Sequence, residues 1–193
     1  MRQWIHVYSQ QKFPDAVVHR EKEEMGCSVL FPERPESPLT ALCGDMLYRV
    51  YGRPKKGKMR RRRGRKGTHH CDCIVFVTSA SALVVIPVEL KSWNCSIKRA
   101  LDQLCAGVKT AHGIVVGAAH AMGLSGNSPL GFASSADVCE EVELLPLMLR
   151  EPRHGSTART VTTKSIPWGN VHRKVVLGTC GDSIWDILDL VYA

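Results

Sequence analysis

The sequence predicts an α/β fold in which a mixed central sheet is flanked by helices, with a C-terminal hairpin and helix. Two apolar runs, 71–77 and 82–91, have the length and β-branched content of buried strands. An amphipathic helix follows from Ile97, and the apolar run 113–119 predicts a further buried strand. The first two runs are joined by a short link, which favours an antiparallel pair. The second run, the helix and the run 113–119 follow one another as strand, helix and strand, which are most simply parallel, so the sheet is expected to be mixed.

The segment before these strands predicts an arm, a helix and a loop. Residues 1–36 are mixed in character and are expected to form an irregular arm. Ser37 and Pro38 are typical of a helix start, a capping side chain followed by a first-turn proline. The segment 53–67 contains glycines and is expected to be a loop. The apolar face of the predicted helix consists of Leu39, Leu42, Cys43, Met46, Leu47 and Val50.

Further elements are predicted after Ile97. The helix that follows it has its apolar face at Ile97, Ala100, Leu101, Leu104, Cys105 and Val108. Towards the C-terminus the sequence predicts a loop over 120–136, a helix over 138–149 interrupted by Pro146, a hairpin formed by 157–166 and 171–178, and a helix from Ser183.

Length and composition fit one domain that lies inside the cell. Of 193 residues, 44% are apolar and 23% charged, as is ordinary for a globular protein. No apolar stretch reaches the ~20 residues of a membrane span, and no secretory signal begins the chain, so we expect a cytoplasmic protein without membrane association. The expected parts of the single domain 1–193 are the arm 1–36, a core over 37–119 that includes the loop 53–67, and a C-terminal elaboration over 120–193.

The eight cysteines are scattered singly, unlike those of a disulfide-rich secreted domain. Most of them are expected to be reduced and buried. Because intracellular proteins of thermophiles do hold disulfides, the sequence leaves disulfide formation open.

The excess positive charge is concentrated in one segment. The formal net charge is +8, and the run RPKKGKMRRRRGRK at 53–66 holds ten of the 26 basic residues and no acid. The rest of the chain has 16 basic residues against 18 acidic ones. Such a run predicts contact with a polyanion, and a nucleic-acid backbone fits it best. The cations are Arg53, Lys55, Lys56, Lys58, Arg60, Arg61, Arg62, Arg63, Arg65 and Lys66.

The second predicted strand ends with an acid and a base on one face. In VVIPVELKSW, residues 84–93, Glu89 and Lys91 are two positions apart and therefore point to the same side of a strand. If 80–81 is a two-residue hairpin loop, Asp72 lies directly opposite Glu89. Directly opposed Cβ atoms are ~5 Å apart, a separation that suits two carboxylates sharing one metal ion.

These residue types suit metal-dependent phosphodiester hydrolysis. Hard ions such as Mg²⁺ prefer carboxylate and water oxygens, and Asp72 and Glu89 would supply the carboxylates. Lys91 would orient the attacking water or stabilise the charge that develops on the phosphate. The pattern therefore predicts a Mg²⁺ or Mn²⁺ site beside a catalytic lysine.

The order of Asp72, Glu89 and Lys91, followed by a helix bearing Gln103, resembles the PD-(D/E)xK nuclease superfamily of restriction enzymes and archaeal Holliday-junction resolvases. The resemblance covers about residues 37–119. It implies a restriction-endonuclease-like core, catalytic roles for all four of these residues, and metal binding by the two acids.

The family places a strand between its first helix and the aspartate strand. In this sequence that interval is mostly the basic run. The strand is therefore expected to lie within 66–71 or to come from the N-terminal WIHVY, residues 4–8.

Less specific interpretations exist for these features. An E-x-K triplet occurs by chance at many strand ends, Gln103 on a solvated helix face needs no catalytic reason, and the basic run also fits a solvated loop or a nuclear-localisation-like tract. Glu36 and Asp45 are interpreted as surface acids. The run HHCDC at 69–73 invites a zinc interpretation, but no CxxC or HxxxH completes a tetrahedral ligand set, so zinc is not expected.

We therefore predict a metal-dependent endonuclease that acts on nucleic acid, with DNA favoured over RNA. The alternative is a non-catalytic nucleic-acid-binding module or assembly subunit with the same fold. The Asp72, Glu89 and Lys91 triplet favours the enzyme, because a protein that only binds does not need it. Small nucleases of this fold commonly dimerise, so a homodimer is a further expectation.

Overall fold

The protein has an α/β fold built around a mixed sheet. In the computed structural model the described residues are 3–24, 26–51, 70–79, 82–92, 96–121, 142–151, 160–168 and 170–192. The helices are α1 (Trp4–Lys12), α2 (Gly44–Tyr51), α3 (Ile97–Ala121) and α4 (Ile184–Tyr192). The strands are β1 (Val17–Val18), β2 (Glu21–Glu24), β3 (Cys27–Leu30), β4 (Leu39–Cys43), β5 (Cys73–Thr78), β6 (Leu83–Lys91), β7 (Val142–Leu144), β8 (Leu147–Arg150), β9 (Thr160–Trp168) and β10 (Val171–Thr179).

The central sheet has antiparallel and parallel halves. Its strand order within the described residues is β1, β4, β5, β6, β8, β10, β9, and β7 pairs with β6 beside β8. The pairs β1–β4, β4–β5 and β5–β6 are antiparallel, whereas β7 and β8 run parallel to β6, and β10 runs parallel to β8. One apolar cluster lies between the sheet and the helices α1 and α3, and a second lies between the other face and the elements β3 and α4.

The two central strands and their register agree with the sequence prediction. Cys73 pairs with Val88, which is the register that places Asp72 opposite Glu89. At the other end, Ser79 N donates to the carbonyl oxygen of Ala82 at 2.9 Å, as a two-residue link requires. The predicted C-terminal hairpin and helix are confirmed as β9, β10 and α4.

The N-terminal 36 residues are not an irregular arm. They contain α1, a short 3₁₀ turn at Pro14–Ala16 and the strands β1, β2 and β3. The helical face of α1 is hard to recognise in the sequence because polar residues are buried on it: His6 bonds the hydroxyls of Thr40 and Thr78, both at 2.9 Å. WIHVY is therefore part of a helix and does not provide the missing strand.

The predicted helix after Pro38 is a strand followed by a shorter helix. Leu39–Cys43 forms β4, and α2 begins only at Gly44. The apolar residues of this segment fit both a helical period and a strand that is buried on two faces. The segment is a strand because it pairs with β1 on one side and with β5 on the other.

Two predictions beyond Ile97 are wrong. The run 113–119 is not a strand but the second half of α3, in which Ala111, Ile114, Val115 and Ala118 keep the helical spacing of the buried face. The predicted helix over 138–149 is replaced by β7 and β8, which supply the parallel neighbours of β6. Short apolar runs do not distinguish strands from helix segments, which explains both errors.

Two predicted loops fall largely outside the described residues, namely 53–67 entirely and 120–136 from 122 onwards. In the part of the chain that the structure describes, no helix combines the length and the hydrophobicity needed to span a bilayer.

Candidate active site

The predicted site residues come together at one end of the central strands. Glu89 and Lys91 occupy the end of β6, and Asp72 immediately precedes β5. Gln103 lies on the buried face of α3, which packs over β6. The antiparallel register explains why residues far apart in the sequence meet here.

Two glycines allow the segment before β5 to pack closely. A Cβ atom on Gly44 would overlap the carbonyl oxygen of Cys71, and the Gly44 N–H donates to the Asp72 carbonyl oxygen at 2.9 Å. A Cβ atom on Gly107 of α3 would overlap the Cys71 sulfur. The absence of both Cβ atoms therefore lets Cys71 and Asp72 lie against α2 and α3.

Each of the four side chains is oriented by a specific contact, and Lys91 links Glu89 to Gln103. The Leu90 N–H donates to Asp72 Oδ2 at 2.6 Å, so Asp72 is oriented towards the end of β6. Lys91 forms an ion pair with Glu89 Oε1 and donates to Gln103 Oε1 at 3.1 Å. Gln103 Nε2 donates to the His70 carbonyl oxygen at 3.1 Å, and this bond fixes the amide orientation.

The electrostatics of the two acids disfavour their charged forms. Glu89 is fully buried, and burial together with the charge of Asp72 raises its pKa to about 8, although Lys91 acts in the opposite direction. Burial also raises the pKa of Asp72, against the Leu90 N–H and Lys91, which lower it. A cation placed between these carboxylates would therefore relieve a real electrostatic cost.

The donor set fits a hard divalent cation. Apart from the Lys91 ion pair, the buried Glu89 oxygens accept no hydrogen bond from the described residues, so they remain available as ligands. Within the described ranges no group of three or more His, Cys, Asp or Glu side chains is arranged around one metal position. Asp72 and Glu89 would each supply a carboxylate ligand, and Mg²⁺ commonly completes its shell with water.

The neighbourhood includes residues that the sequence did not identify as functional. His70 Nε2 lies 2.9 Å from Asp45 Oδ1, so the predicted surface acid has a partner at the edge of the site, although its side chain is 60% exposed. Lys22 on β2 is close enough for the charge of Asp72 to act on it. The charged stretch EKEE has no apolar alternation, so the half-burial that separates Lys22 from its outward-facing neighbours is visible only in the fold.

The other candidate residues are not brought into the site by the described structure. The ten predicted nucleic-acid-binding cations of 53–66 lie outside the described residues. Cys71 and Cys73 of the HHCDC run are buried in different apolar clusters, on opposite faces of the sheet.

No protein-family model, curated protein or solved structure matches this chain. The resemblance to PD-(D/E)xK nucleases therefore stays an expectation from the sequence pattern of Asp72, Glu89, Lys91 and Gln103.

Proposed function

We propose that the protein is a metal-dependent endonuclease that hydrolyses phosphodiester bonds of nucleic acid, DNA in preference to RNA, with Mg²⁺ or Mn²⁺ as cofactor. The observation that carries the proposal is the junction of the buried Glu89 carboxylate and the partly buried Asp72 carboxylate with the ammonium group of Lys91. Buried groups of opposite charge at strand ends, with perturbed pKa values, are typical of catalytic sites.

Each residue has a distinct role in the proposed reaction. Asp72 and Glu89 would bind the divalent cation, which polarises the phosphoryl oxygen and lowers the pKa of water. Lys91 would stabilise the negative charge that grows on the phosphate or orient the attacking water. Gln103 accepts a hydrogen bond from the Lys91 ammonium and so restricts its position.

The topology supports a restriction-endonuclease-like core. The family's strand between its first helix and the aspartate strand would correspond to β4, which pairs with β5. In this chain β1, β2 and β3 lie between α1 and β4, and α2 lies between β4 and β5. Glu89 and Lys91 end β6, and the helix α3 follows with its glutamine.

The rival function, a non-catalytic nucleic-acid-binding or assembly subunit, is compatible with the same ion pair. The ion pair between Lys91 and Glu89 neutralises both groups in a buried position, and a purely structural pair would look the same. Only measurements on the protein in solution separate the two functions.

The deciding experiment is a cleavage assay. Purified protein is incubated with labelled single-stranded, double-stranded and branched DNA, and with RNA, in Mg²⁺, Mn²⁺ or EDTA. We expect metal-dependent cleavage that Lys91→Ala reduces by about 100-fold or more, whereas its DNA affinity stays near that of the wild type. Cleavage by Lys91→Ala at the wild-type rate would show that the motif assignment is wrong.

Calorimetric titration with Mn²⁺ tests the shared metal site independently of cleavage. Glu89→Ala and Asp72→Ala are expected to weaken binding strongly, because each removes one of two charged ligands. Glu36→Ala, at an exposed acid, is the matched control. Tight Mn²⁺ binding by Glu89→Ala would contradict a site shared by the two carboxylates.

A further inference from the structure

The hairpin of β2 and β3 lies over the end of the sheet that carries the candidate site. It forms a separate two-stranded sheet, and both of its strands contact β6. Its strand β3 is held by two backbone hydrogen bonds. Leu30 N donates to the Asp182 carbonyl oxygen at 3.1 Å, and Gly181 N donates to the Ser28 carbonyl oxygen at 2.8 Å. A disulfide joins Cys27 to Cys180.

The tip of this hairpin is close to the end of β6. Glu24 pairs with Cys27 at the tip. The Cys180 sulfur, which is bonded to Cys27, lies 4.0 Å from the Lys91 carbonyl oxygen. The hairpin is thus positioned as a wall of the site, on the sheet face opposite α3.

Lys22 points from this wall towards the sheet. It pairs with Val29, which is fully buried, and its own side chain is only 17% exposed. Its ammonium lies 3.6 Å from Glu24 Oε2, longer than a hydrogen bond, so it keeps donors for a further partner. Burial opposes its charge, but the groups around it, Cys43 and Glu24 first and then Asp72 and Asp45, together outweigh that effect and raise the pKa of Lys22.

The charges around Asp72 explain what such a lysine can do. Glu24, Asp45 and Glu89 all act in the same neighbourhood, so an approaching phosphodiester anion meets an excess of carboxylates. Lys91 is already committed to Glu89 and Gln103. A second ammonium group is needed to attract the anion and to hold it beside the acids.

We propose that Lys22 of β2 binds a non-bridging oxygen of the substrate phosphate and so holds the phosphodiester beside Asp72. The inference rests on the proposed nuclease function, since it deepens that function by assigning a phosphate-binding residue. It also assigns the hairpin a role as part of the site.

The test measures phosphate binding and turnover separately. The first readout is the dissociation constant of inorganic phosphate in the presence of Mg²⁺, measured by calorimetry, which requires no reaction. The second is KM and kcat for bis(4-nitrophenyl) phosphate in Mn²⁺, because a single phosphodiester reports on one phosphate position. The variants are Lys22→Met, Lys22→Gln and the charge-conserving Lys22→Arg, with Lys174→Met, at an exposed lysine of β10, as the matched control.

Loss of one charge-assisted hydrogen bond should weaken phosphate binding in Lys22→Met and Lys22→Gln by about tenfold or more. KM should rise by a similar factor with a smaller change in kcat, Lys22→Arg should retain most of the affinity, and Lys174→Met should match the wild type. Thermal unfolding of every variant identifies any that fails to fold. The comparison is then made with the Lys22 variants that do fold. Phosphate bound by the basic segment 53–66 contributes equally to all variants.

The outcomes separate this inference from the proposed function. Unchanged phosphate affinity in a folded Lys22→Met protein, or a wild type that binds no phosphate, overturns the role of Lys22, whatever the cleavage assay shows. A Lys22-dependent affinity in a wild type that cleaves neither DNA nor RNA supports the phosphate site and removes the nuclease function.

Discussion

At the scale of single residues, Glu89 has the greatest effect on the chemistry of the candidate site. Its carboxylate is fully buried beside Asp72, and Lys91 compensates only part of the cost of its charge. In the metal-free protein, burial and the charge of Asp72 therefore favour proton uptake by Glu89, whereas the ion pair with Lys91 opposes it. The same cost makes the site receptive to a divalent cation, because a bound cation favours the charged form.

The first prediction follows from the raised pKa of Glu89. Its value is about 8 in the folded protein, against an ordinary value of 4.5. The folded state binds the proton of Glu89 more tightly than the unfolded state does, so protonation of Glu89 stabilises the fold. This contribution to the free energy of unfolding is fully present below pH 4.5 and is lost as the pH rises through 8. In EDTA, the free energy of unfolding of the wild type should fall across this window by up to about 1.4 kcal/mol per pH unit. Glu89→Gln should flatten the profile.

Urea unfolding at a series of pH values measures this effect. The pKa of Asp72 is raised as well, so a smaller slope of the same sign should remain in Glu89→Gln. The control Glu36→Gln, at an exposed acid, should follow the wild-type profile. Identical profiles for Glu89→Gln and the wild type would mean that Glu89 is charged in the folded protein.

The sequence predicted the proximity of Glu89, Lys91 and Asp72 for a simple reason. Strand alternation puts Glu89 and Lys91 on one face, and the short link to the preceding strand puts Asp72 opposite. Lys22 was missed because its approach to Asp72 depends on a hairpin that folds over the sheet, from a segment with no strong apolar pattern. Local periodicity carries no information about such a tertiary contact.

At the scale of elements, strand pairing between distant segments determines the secondary structure wherever the local hydrophobic pattern fits both a helix and a strand. The segment Leu39–Cys43 has apolar residues that fit a helix, yet it is inserted between β1 and β5 as a strand. The run 113–119 has the composition of a strand, yet it continues the buried stripe of α3. The strands β5 and β6 were predictable because they are adjacent in the sequence and joined by a short link, so their pairing is local.

The second prediction tests the close packing of α3 against the segment before β5. Gly107→Ala should lower the free energy of unfolding by about 1–3 kcal/mol, because the new methyl group would overlap Cys71 and crowd Pro87 in a packed core. The control is Gly113→Ala in the same helix, where a Cβ meets no other atom within 4 Å. That substitution should stabilise the protein by about 0.5–1 kcal/mol through helix propensity.

Chemical denaturation of both variants provides the comparison. If Gly107→Ala is as stable as Gly113→Ala, then α3 is not packed against Cys71 as described. Because the Gln103 amide donates to the His70 carbonyl oxygen in the same contact, Gly107→Ala should also weaken Mn²⁺ binding, whereas Gly113→Ala should not.

At the scale of the whole molecule, the sheet has a different covering on each face. The site strands are covered by α3 on one face, and the hairpin of β2 and β3 and the helix α4 cover the other. The cysteines were expected to be mostly reduced, and Cys43, Cys71, Cys73 and Cys105 are free, but Cys27 and Cys180 are joined over a separation of 153 residues. The sequence left this bond open because no local spacing marks the pair.

The third prediction concerns this disulfide. Replacing Cys27 and Cys180 together by Ala should lower the free energy of unfolding by about 2–4 kcal/mol, because the bond closes a long loop in the unfolded chain. Reduction of the wild type with dithiothreitol should lower its stability by a similar amount. Cys105→Ala, at a free cysteine, is the control. Equal stability of the oxidised and reduced wild type would show that the bond does not constrain the fold.

The last prediction concerns the basic segment 53–66, whose ten cations account for the entire positive charge excess. Each phosphate that the protein neutralises releases counterions, so the logarithm of the binding constant should fall with the logarithm of salt concentration at a slope of about 0.9 per contact on duplex DNA. Replacing Arg60, Arg61, Arg62 and Arg63 by Ser should flatten this slope and weaken binding to all duplexes alike, because backbone contacts do not read sequence. Titrations of several unrelated duplexes at three or more salt concentrations measure both quantities. An unchanged slope and affinity would leave the segment as a solvated loop, and the case for nucleic acid would then depend on Asp72, Glu89 and Lys91 alone.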